Sequence, residues 1–237
     1  MPTLLIDLAG PQQAWGSRSR FATRATETAP TRSGVIGLVA AAMGLDRTAS
    51  LHRFDSLEFG VRVDQPGRIE RDFQTARTLD GRTSMPLSER HYLADAVFLV
   101  GLYAVDKVVI SDIREALRRP RFPLYLGRRA FPPAGPLRTQ IVDQYLREAI
   151  ATAEWRATPA FRRHAGEQHP PLEMLFDAHA GETADVSLQD VPRSFDPRRR
   201  RHDWRDVKVI WTSSTSKAQR ARPTGHDPMI LVADEEV

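Results

Sequence analysis

The sequence predicts an α+β fold, because strand-like and helix-like segments follow one another in the order strand, helix, strand, strand, helix. Thr3–Ala9 is almost continuously apolar, as expected of a buried strand, and Ser33–Met43 has the apolar spacing of a helix. This order is that of the split βαβ, or ferredoxin-like, arrangement. A long polar insertion and a C-terminal region of mixed composition predict a projecting β-hairpin and a small C-terminal extension.

Each further element has a local signal. Ser33 can cap the first helix, and Gly44 can end it. Ser56–Asp64 alternates apolar with polar or small residues, which predicts a half-buried strand. Ala94–Val105 is apolar enough for a central strand, and Ser111–Arg119 predicts a short helix that ends before Pro120.

The insertion between the second and third strands spans Gln65–Leu93, which is too long for a simple loop in a compact domain. A turn signal at Leu79–Gly81 divides it, and it holds few large apolar side chains. We interpret it as a projecting hairpin that is mobile on its own. Its arginines favour a polyanionic partner: Arg68, Arg71, Arg77, Arg82 and Arg90.

The C-terminal part begins after a proline-rich stretch that follows Phe131. The apolar spacing of Gln140–Trp155 predicts a helix, and Leu172–Phe176 predicts a short strand. Asp185–Pro192 and Asp206–Ser213 are expected to form a pair of late strands.

Composition favours a nucleic-acid partner. The chain has 237 residues, no cysteine and a net charge of +4; only three of its 34 basic residues are lysine, and the rest are arginine. A GC-rich genome would enrich arginine in this way, but the arginines also cluster in residues 114–129 and 193–205, as phosphate-binding arginines do. The missing cysteine excludes disulfides and thiolate metal sites. Without a signal peptide or a membrane-length apolar run, the expected location is the cytoplasm.

The stretch before and at the start of the first helix is a candidate phosphate track, since a helix N-terminus favours anions. Its members are Gln13 and Trp15 for base edges and stacking, Arg18, Arg20 and Arg24 for phosphates, and Thr31, Arg32, Ser33 and Gly34 at the helix end. The alternative is an ordinary capped helix after an ordinary loop.

A second candidate is Pro123–Phe131, where an aromatic residue, a glycine and paired arginines suit single-stranded RNA. The predicted contacts are Tyr125, Gly127, Arg128 and Arg129, together with Arg77 and Arg90 from the hairpin. A solvated loop is the alternative here. The run Arg198–Arg201 is expected to be solvated or a peripheral backbone contact.

Catalysis and metal binding find little support in the sequence. No nucleotide-hydrolase, serine-hydrolase or zinc-protease motif occurs, and His164, His169 and His179 do not have metal-ligand spacing, so no metal or cofactor is predicted. A metal-independent ribonuclease needs a general base and a general acid. Only His91, Tyr92 and Tyr125 could supply them, and the sequence favours binding over cleavage.

Four segments in this order resemble one family: Leu8–Gly16, Pro30–Gly44, Arg90–Leu102 and Pro123–Phe131. They are similar to the Cas protein 5 family of the RAMP superfamily, in particular to CasD-type subunits of type I-E CRISPR Cascade complexes. Asp190–Trp204 is similar in position to the family's C-terminal Pro-x-x-Phe…Trp segment. The strong matches cover about residues 3–131, whereas residues 140–189 match weakly.

The resemblance implies a ferredoxin-like (RRM-like) palm over residues 1–64 and 94–139, a thumb hairpin over 65–93 and a C-terminal extension over 140–237. It implies a non-catalytic subunit that holds the 5′ handle of the guide CRISPR RNA and caps one end of the complex for antiviral defence. A CasC-type backbone subunit and a CasA-type large subunit would be its partners, target DNA would be an indirect one, and no membrane is involved. In a related subtype the equivalent protein is a ribonuclease, so processing of precursor CRISPR RNA remains the alternative.

Overall fold

The computed structural model of the chain describes residues 1–17, 23–165 and 170–212. The strands, in chain order, are β1 Pro2–Ala9, β2 Gln12–Gln13, β3 Thr23–Arg24, β4 Glu58–Gln65, β5 Arg68–Gln74, β6 Ser88–Ala94, β7 Val97–Tyr103, β8 Thr139–Asp143, β9 Glu173–Asp177, β10 Val186–Ser194 and β11 Arg201–Trp211. The helices are α1 Arg32–Ala42, α2 Lys107–Arg118, α3 Leu146–Thr152 and α4 Pro159–Ala165, with a 3₁₀ turn at His52–Phe54.

The predicted ferredoxin-like palm is confirmed. β4, β7, β1 and β8 lie side by side in that order, and all neighbours in this set are antiparallel. The chain visits them as β1–α1–β4–β7–α2–β8, which is the split βαβ order. α1 and α2 pack on one face of the sheet, and α3 covers the other face through a second apolar cluster that includes Leu5, Leu99 and Ile150.

Two helix predictions need correction. α2 begins at Lys107 rather than Ser111, because the Asp106 carboxylate accepts a hydrogen bond from the Val108 N–H at 2.8 Å and so caps the helix earlier. The single helix predicted over Gln140–Trp155 is wrong: its first residues form β8, the edge strand beside β1, and α3 begins only at Leu146. The apolar residues of a short strand and of the following helix had together produced a helical spacing.

The C-terminal strands continue the palm sheet beyond β4. The full sheet has seven strands in the order β10-β11-β9-β4-β7-β1-β8, and the predicted late pair is present as β10 and β11. Leu175, Leu188 and Val207 belong to the same buried cluster as Leu4 and Phe59. β9, β10 and β11 therefore share one sheet and one core with the palm. β8, which ends at residue 143, is the fourth palm strand, so the palm extends beyond residue 139.

The predicted projecting hairpin is formed by β5 and β6, which pair from Arg68–Ala94 to Gln74–Ser88. β6 also pairs with β2 and β3, so the base of the hairpin joins the segment that precedes α1. Leu93 and His91 are buried at this base, whereas every residue from 73 to 87 is exposed. The outer half of the hairpin thus has no core of its own.

Candidate nucleic-acid interface

A loop over residues 125–129 lies at the centre of the candidate interface, because it contributes to both a cleft and a group of arginines. Leu126, which is fully buried, anchors it: its N–H donates to the Phe131 carbonyl at 2.7 Å, and its carbonyl accepts from the Ala14 N–H at 3.1 Å. Gly127 has a φ of +87°, and a Cβ there would lie 1.6 Å from the Ala14 carbonyl oxygen. Only glycine fits this close approach of two backbone segments.

One side of the loop borders a cleft of about 820 Å³ along α1. Predicted residues from two distant parts of the sequence line it together: Thr31, Ser33 and Gly34 from the start of α1, and Tyr125, Gly127 and Arg129 from the loop. Another part of the lining comes from Phe195 and Arg200 in the turn between β10 and β11, and from His202 at the start of β11. Arg47 also lines the cleft, after the end of α1.

Three arginines that do not line the cleft lie close together, and we call them the arginine cluster: Arg24, Arg90 and Arg128. Arg24 lies opposite Arg90 in the parallel β3–β6 pair, and Arg128 Nη2 donates to the Arg24 carbonyl at 2.9 Å. Burial, followed by the charges of Arg90 and Arg24, lowers the pKa of Arg128 from its usual value. Asp72 lies opposite Arg90 in the β5–β6 pair and acts in the other direction on the pKa of Arg128. Three arginines that the sequence singled out separately nevertheless outnumber this one carboxylate, and their charge favours an anion.

Arg32 lies elsewhere, and its predicted phosphate contact needs correction. Its guanidinium is buried and donates to Asp177 Oδ2 at 2.5 Å and to the Leu57 carbonyl at 2.7 Å. Arg205 completes this network with bonds to Asp177 and Asp190. Burial opposes the charge of Arg205, but the two carboxylates outweigh it and raise its pKa. Arg32 thus joins the palm to the C-terminal strands, with its guanidinium bonded to Asp177 and to the Leu57 carbonyl.

The start of α1 also uses its own backbone donors. The Thr31 hydroxyl accepts from the Gly34 N–H at 3.2 Å, the Thr31 carbonyl accepts from the Val35 N–H at 3.0 Å, and Asp190 Oδ2 accepts from the Arg32 N–H at 2.7 Å. The Asp190 carboxylate and the Thr31 hydroxyl thus occupy two of the donors that the sequence predicted for an anion at this helix end. We therefore infer that the start of α1 forms part of the cleft wall and does not itself bind an anion.

Gln13 and Trp15 are fully buried, so the predicted base contacts of both are corrected as well. Trp15 Nε1 donates to Gln13 Oε1 at 3.2 Å, and Gln13 Nε2 donates to the Ala96 carbonyl at 2.8 Å. The indole lies directly under α1, where a Cβ on Gly34 would come within 2.7 Å of it. Trp15 supports the cleft from below and presents no ring face for stacking.

The remaining predicted residues are distributed more widely. Arg77 lies near the exposed tip of the hairpin and forms an isolated bridge with Ser84, away from the cleft. Arg18 and Arg20 lie outside the described residues. The sequence missed Phe195, His202 and Arg47, and it assigned Arg200 to a solvated run. The Pro-x-x-Phe spacing was the one signal that pointed to Phe195.

The candidate ribonuclease residues do not form a set. His91 is 1% exposed, and burial lowers its pKa, although the charge of Glu89 acts in the opposite direction. Tyr92 is its neighbour on β6 and so points to the other face, where its ring packs on Phe131 at 5.5 Å. Tyr125 lines the cleft. The imidazole of His91 is buried, and Tyr92 and Tyr125 have different surroundings. These three side chains therefore do not form an acid–base pair that could act on one phosphate.

In the described ranges of the chain, no helix is long and apolar enough to cross a membrane. The same ranges hold no group of three or more histidine or acidic side chains that could bind a metal ion.

The sheet order, the hairpin beside the central strands and the arginine-rich loop define the ferredoxin-like RAMP class of α+β proteins. Residues 3–208 match the family model described as CRISPR-associated protein (Cas_Cas5). Because this match spans most of the sequence, the chain belongs to the Cas5 family of CRISPR-associated proteins.

Individual relatives agree with this family. The CRISPR system Cascade subunit CasD of Escherichia coli (strain K12) is 37% identical over 153 residues, which cover 56% of this chain and 68% of that protein. A chain of a solved structure described as a CRISPR RNA-guided surveillance complex is 31% identical, with a TM-score of 0.72 and 98% of both chains covered. A crystal structure described as a Cas protein is 35% identical, with a TM-score of 0.68, and covers 88% of this chain and 94% of the other.

Proposed function

We propose that this chain is a non-catalytic, RNA-binding subunit of a Cascade-type CRISPR surveillance complex. In this role it holds the 5′ handle of the guide CRISPR RNA and caps one end of the complex, in the cytoplasm. A CasC-type backbone subunit and a CasA-type large subunit are its proposed protein partners, and target DNA is reached only through the complex. The observation that carries the proposal is the likeness to a surveillance-complex chain over 98% of both chains.

The geometry supports RNA binding in a specific place. The 125–129 loop contributes Arg128 to the arginine cluster and Tyr125, Gly127 and Arg129 to the cleft. A single strand that crosses this loop would meet clustered cations first and then an aromatic side chain, Tyr125. Positive charge that follows the backbone, combined with ring faces, is the general means of holding single-stranded RNA.

Purification from cells that carry the CRISPR locus tests this function. A tagged chain is expected to bring down several protein partners and RNA of one uniform length with a constant 5′ end. Recovery of the chain without RNA, or with RNA of mixed 5′ ends, would contradict a handle-binding role. Sequencing of the bound RNA and mass spectrometry of the proteins provide the measurement.

Cleavage assays test the alternative, a metal-independent ribonuclease that processes precursor CRISPR RNA. We expect repeat RNA to stay intact in the presence of the purified chain, without metal, from about pH 6 to pH 9, because His91 is buried and is not paired with Tyr125. Gel analysis of labelled RNA gives the readout. A discrete product that disappears in the His91→Ala variant would establish the ribonuclease instead.

A further inference from the structure

The cleft along α1 carries positive charge that the described chain does not neutralise. Arg47, Arg129 and Arg200 line the cleft and are exposed, and Asp46 is the one acidic residue of the lining. In the parts of the chain that the structure describes, none of these three guanidinium groups is paired with a carboxylate. The cleft therefore offers its cations to an anionic partner.

Much of the remaining lining is apolar. Leu38, Leu45, Leu124 and Phe195 line the cleft together with Phe122, which is 44% exposed. The volume of about 820 Å³ is large enough for several side chains of a peptide. A well-matched occupant thus combines apolar side chains with negative charge.

One segment of the sequence has both properties, and we call it the acidic segment: residues 229–236. It consists of four apolar residues, Met229–Val232, then one alanine, and then Asp234, Glu235 and Glu236. These are the only three consecutive acidic residues in the sequence. The acidic segment lies outside the described residues, the last of which is Thr212. The chain thus contains a segment whose composition is complementary to its own cleft.

The distance from the last described residue allows this segment to reach the cleft. Thr212 is held at the end of β11, because its N–H donates to the Leu172 carbonyl at 2.9 Å and its hydroxyl accepts from the Leu172 N–H at 2.8 Å. His202, near the start of β11, lines the cleft, and a strand rise of about 3.3 Å per residue puts it roughly 33 Å from Thr212. Asp234 follows Thr212 by 22 residues, which can span up to about 75 Å. Attachment to the same chain also raises the effective concentration of the segment at the cleft.

We propose that the acidic segment docks in the cleft of its own chain, with its apolar residues on the apolar lining and its carboxylates beside Arg47, Arg129 and Arg200. The segment and RNA then compete for one surface, so the cleft stays occupied until a guide strand displaces the segment. The competition rests on the proposed function, whereas the docking does not. Weak polyanions would be excluded from the cleft by the same contacts.

A paramagnetic label tests the docking without RNA. Since the chain has no cysteine, Ala233→Cys in the full chain gives a single attachment site next to the acids. At low salt we expect the label to broaden the amide signals of Gly37 and Leu45, which belong to the cleft, and not that of Gly181. At about 1 M salt, where charge interactions are screened, the broadening should be lost.

An isomeric variant is the matched control. It exchanges residues 234–236 with Ser214, Thr215 and Ser216, so its composition and net charge equal those of the wild type. The relocated acids lie within about 14 Å of Thr212 and cannot reach the cleft. The label at residue 233 should therefore broaden the cleft signals much less in this variant. Equal broadening in both chains would overturn the role of the carboxylates, and no broadening in either would overturn the docking.

A mixed sample separates docking within one chain from docking between copies. Labelled chain without isotope enrichment is mixed with enriched chain that carries no label. Unchanged cleft signals in the enriched chain support docking within one chain. Broadening there would show that the segment occupies the cleft of a second copy, against the proposal.

Binding of a labelled oligouridylate tests the competition. We expect the isomeric variant, and the neutralised variant Asp234→Asn, Glu235→Gln, Glu236→Gln, to bind this strand about fivefold or more tightly than the wild type at low salt. Equal affinities for the wild type and the isomeric variant would overturn the competition. If the label reports docking but none of the chains binds RNA, the proposed function fails and the docking stands; if RNA binds without any sign of docking, the reverse holds.

Discussion

Arg24 and Arg32 precede and begin the same helix, yet they have opposite surroundings. Arg24 is exposed and lies next to two other arginines, whereas Arg32 is buried between Asp177 and the Leu57 carbonyl. Arginine that remains near other cations is available to phosphate, and arginine that is paired inside the protein stabilises the fold. Burial thus separates two residues that composition alone places in one class.

The two variants Arg32→Leu and Arg24→Gln should therefore fail in different ways. Arg32→Leu leaves the half-buried Asp177 with Arg205 as its remaining cation and is expected to lower the free energy of unfolding by about 1–3 kcal/mol. Arg24→Gln should change that stability by no more than about 0.5 kcal/mol but should lower the salt slope of RNA binding by about 0.7. Denaturant unfolding and binding titrations measure both. If Arg32→Leu has the same free energy of unfolding as the wild type, Arg32 would again be a candidate RNA contact.

Gly127 gives a second test at this scale. A methyl group at Gly127 would collide with the Ala14 carbonyl and would be strained at a φ of +87°, so Gly127→Ala must displace the loop that carries Tyr125 and Arg129. We expect a loss of about 1–3 kcal/mol in stability and weaker RNA binding. Gly135→Ala is the matched control, because a Cβ there meets nothing within 4 Å. Equal thermal midpoints for the two variants would contradict the close approach.

Among the elements, the hairpin of β5 and β6 has two halves of different character. Its base is held by buried Leu93 and by pairing with β2 and β3, but residues 73–87 are exposed, including Phe73, Met85 and Leu87. Apolar side chains on an exposed, arginine-containing hairpin favour contact with a partner. The sequence predicted the hairpin from its length and polarity, but it did not reveal that β6 also joins β2 and β3.

Amide exchange should separate the two halves. In the isolated chain we expect slow exchange in the hydrogen-bonded amides of 68–72 and 89–94 and fast exchange over 76–86, with protection of the second range only in the assembled complex. Replacing residues 76–85 with a short turn should leave the thermal midpoint almost unchanged and abolish incorporation into the complex. Incorporation at the normal level would show that the exposed half of the hairpin is dispensable.

Sequence reasoning succeeded for the elements with strong local signals and failed where the decisive partner is distant. β1 and β7 are long apolar strands, and both were predicted. β8 has only five residues and is specified by its pairing with β1, more than 130 residues earlier, so its apolar residues were assigned to the following helix. The partners of Arg32, Asp177 and Asp190, lie equally far along the chain. Long-range pairing of this kind leaves no local pattern.

At the scale of the whole molecule, the palm is joined to the C-terminal region by two polar networks on opposite faces of β4, one that reaches strands β9–β11 and one that reaches α3. On one face, Arg32 and Arg205 share Asp177. On the other, Arg62 is bonded to Asp64 in two places and donates to the Ile150 and Ala153 carbonyls at 2.7 and 2.8 Å. The cleft depends on this junction as well, since Phe195 and His202 form part of its lining.

Because of this junction, the part of the chain before the division that the sequence suggested near residue 139 should not fold as an independent domain. A fragment of residues 1–143 contains all four palm strands. It exposes the edge of β4 that pairs with β9 in the full chain. It also removes Asp177, an acceptor of Arg32, and the Ile150 carbonyl, an acceptor of Arg62. We expect the full chain to unfold in one cooperative transition and the fragment to show none, as measured by calorimetry. Adding residues 144–212 as a separate chain should restore the transition if the two parts share one core, as Phe59, Leu175 and Val207 do. A cooperative transition in the isolated fragment would instead establish the palm as an independent domain, and the C-terminal strands as a separable wall of the cleft.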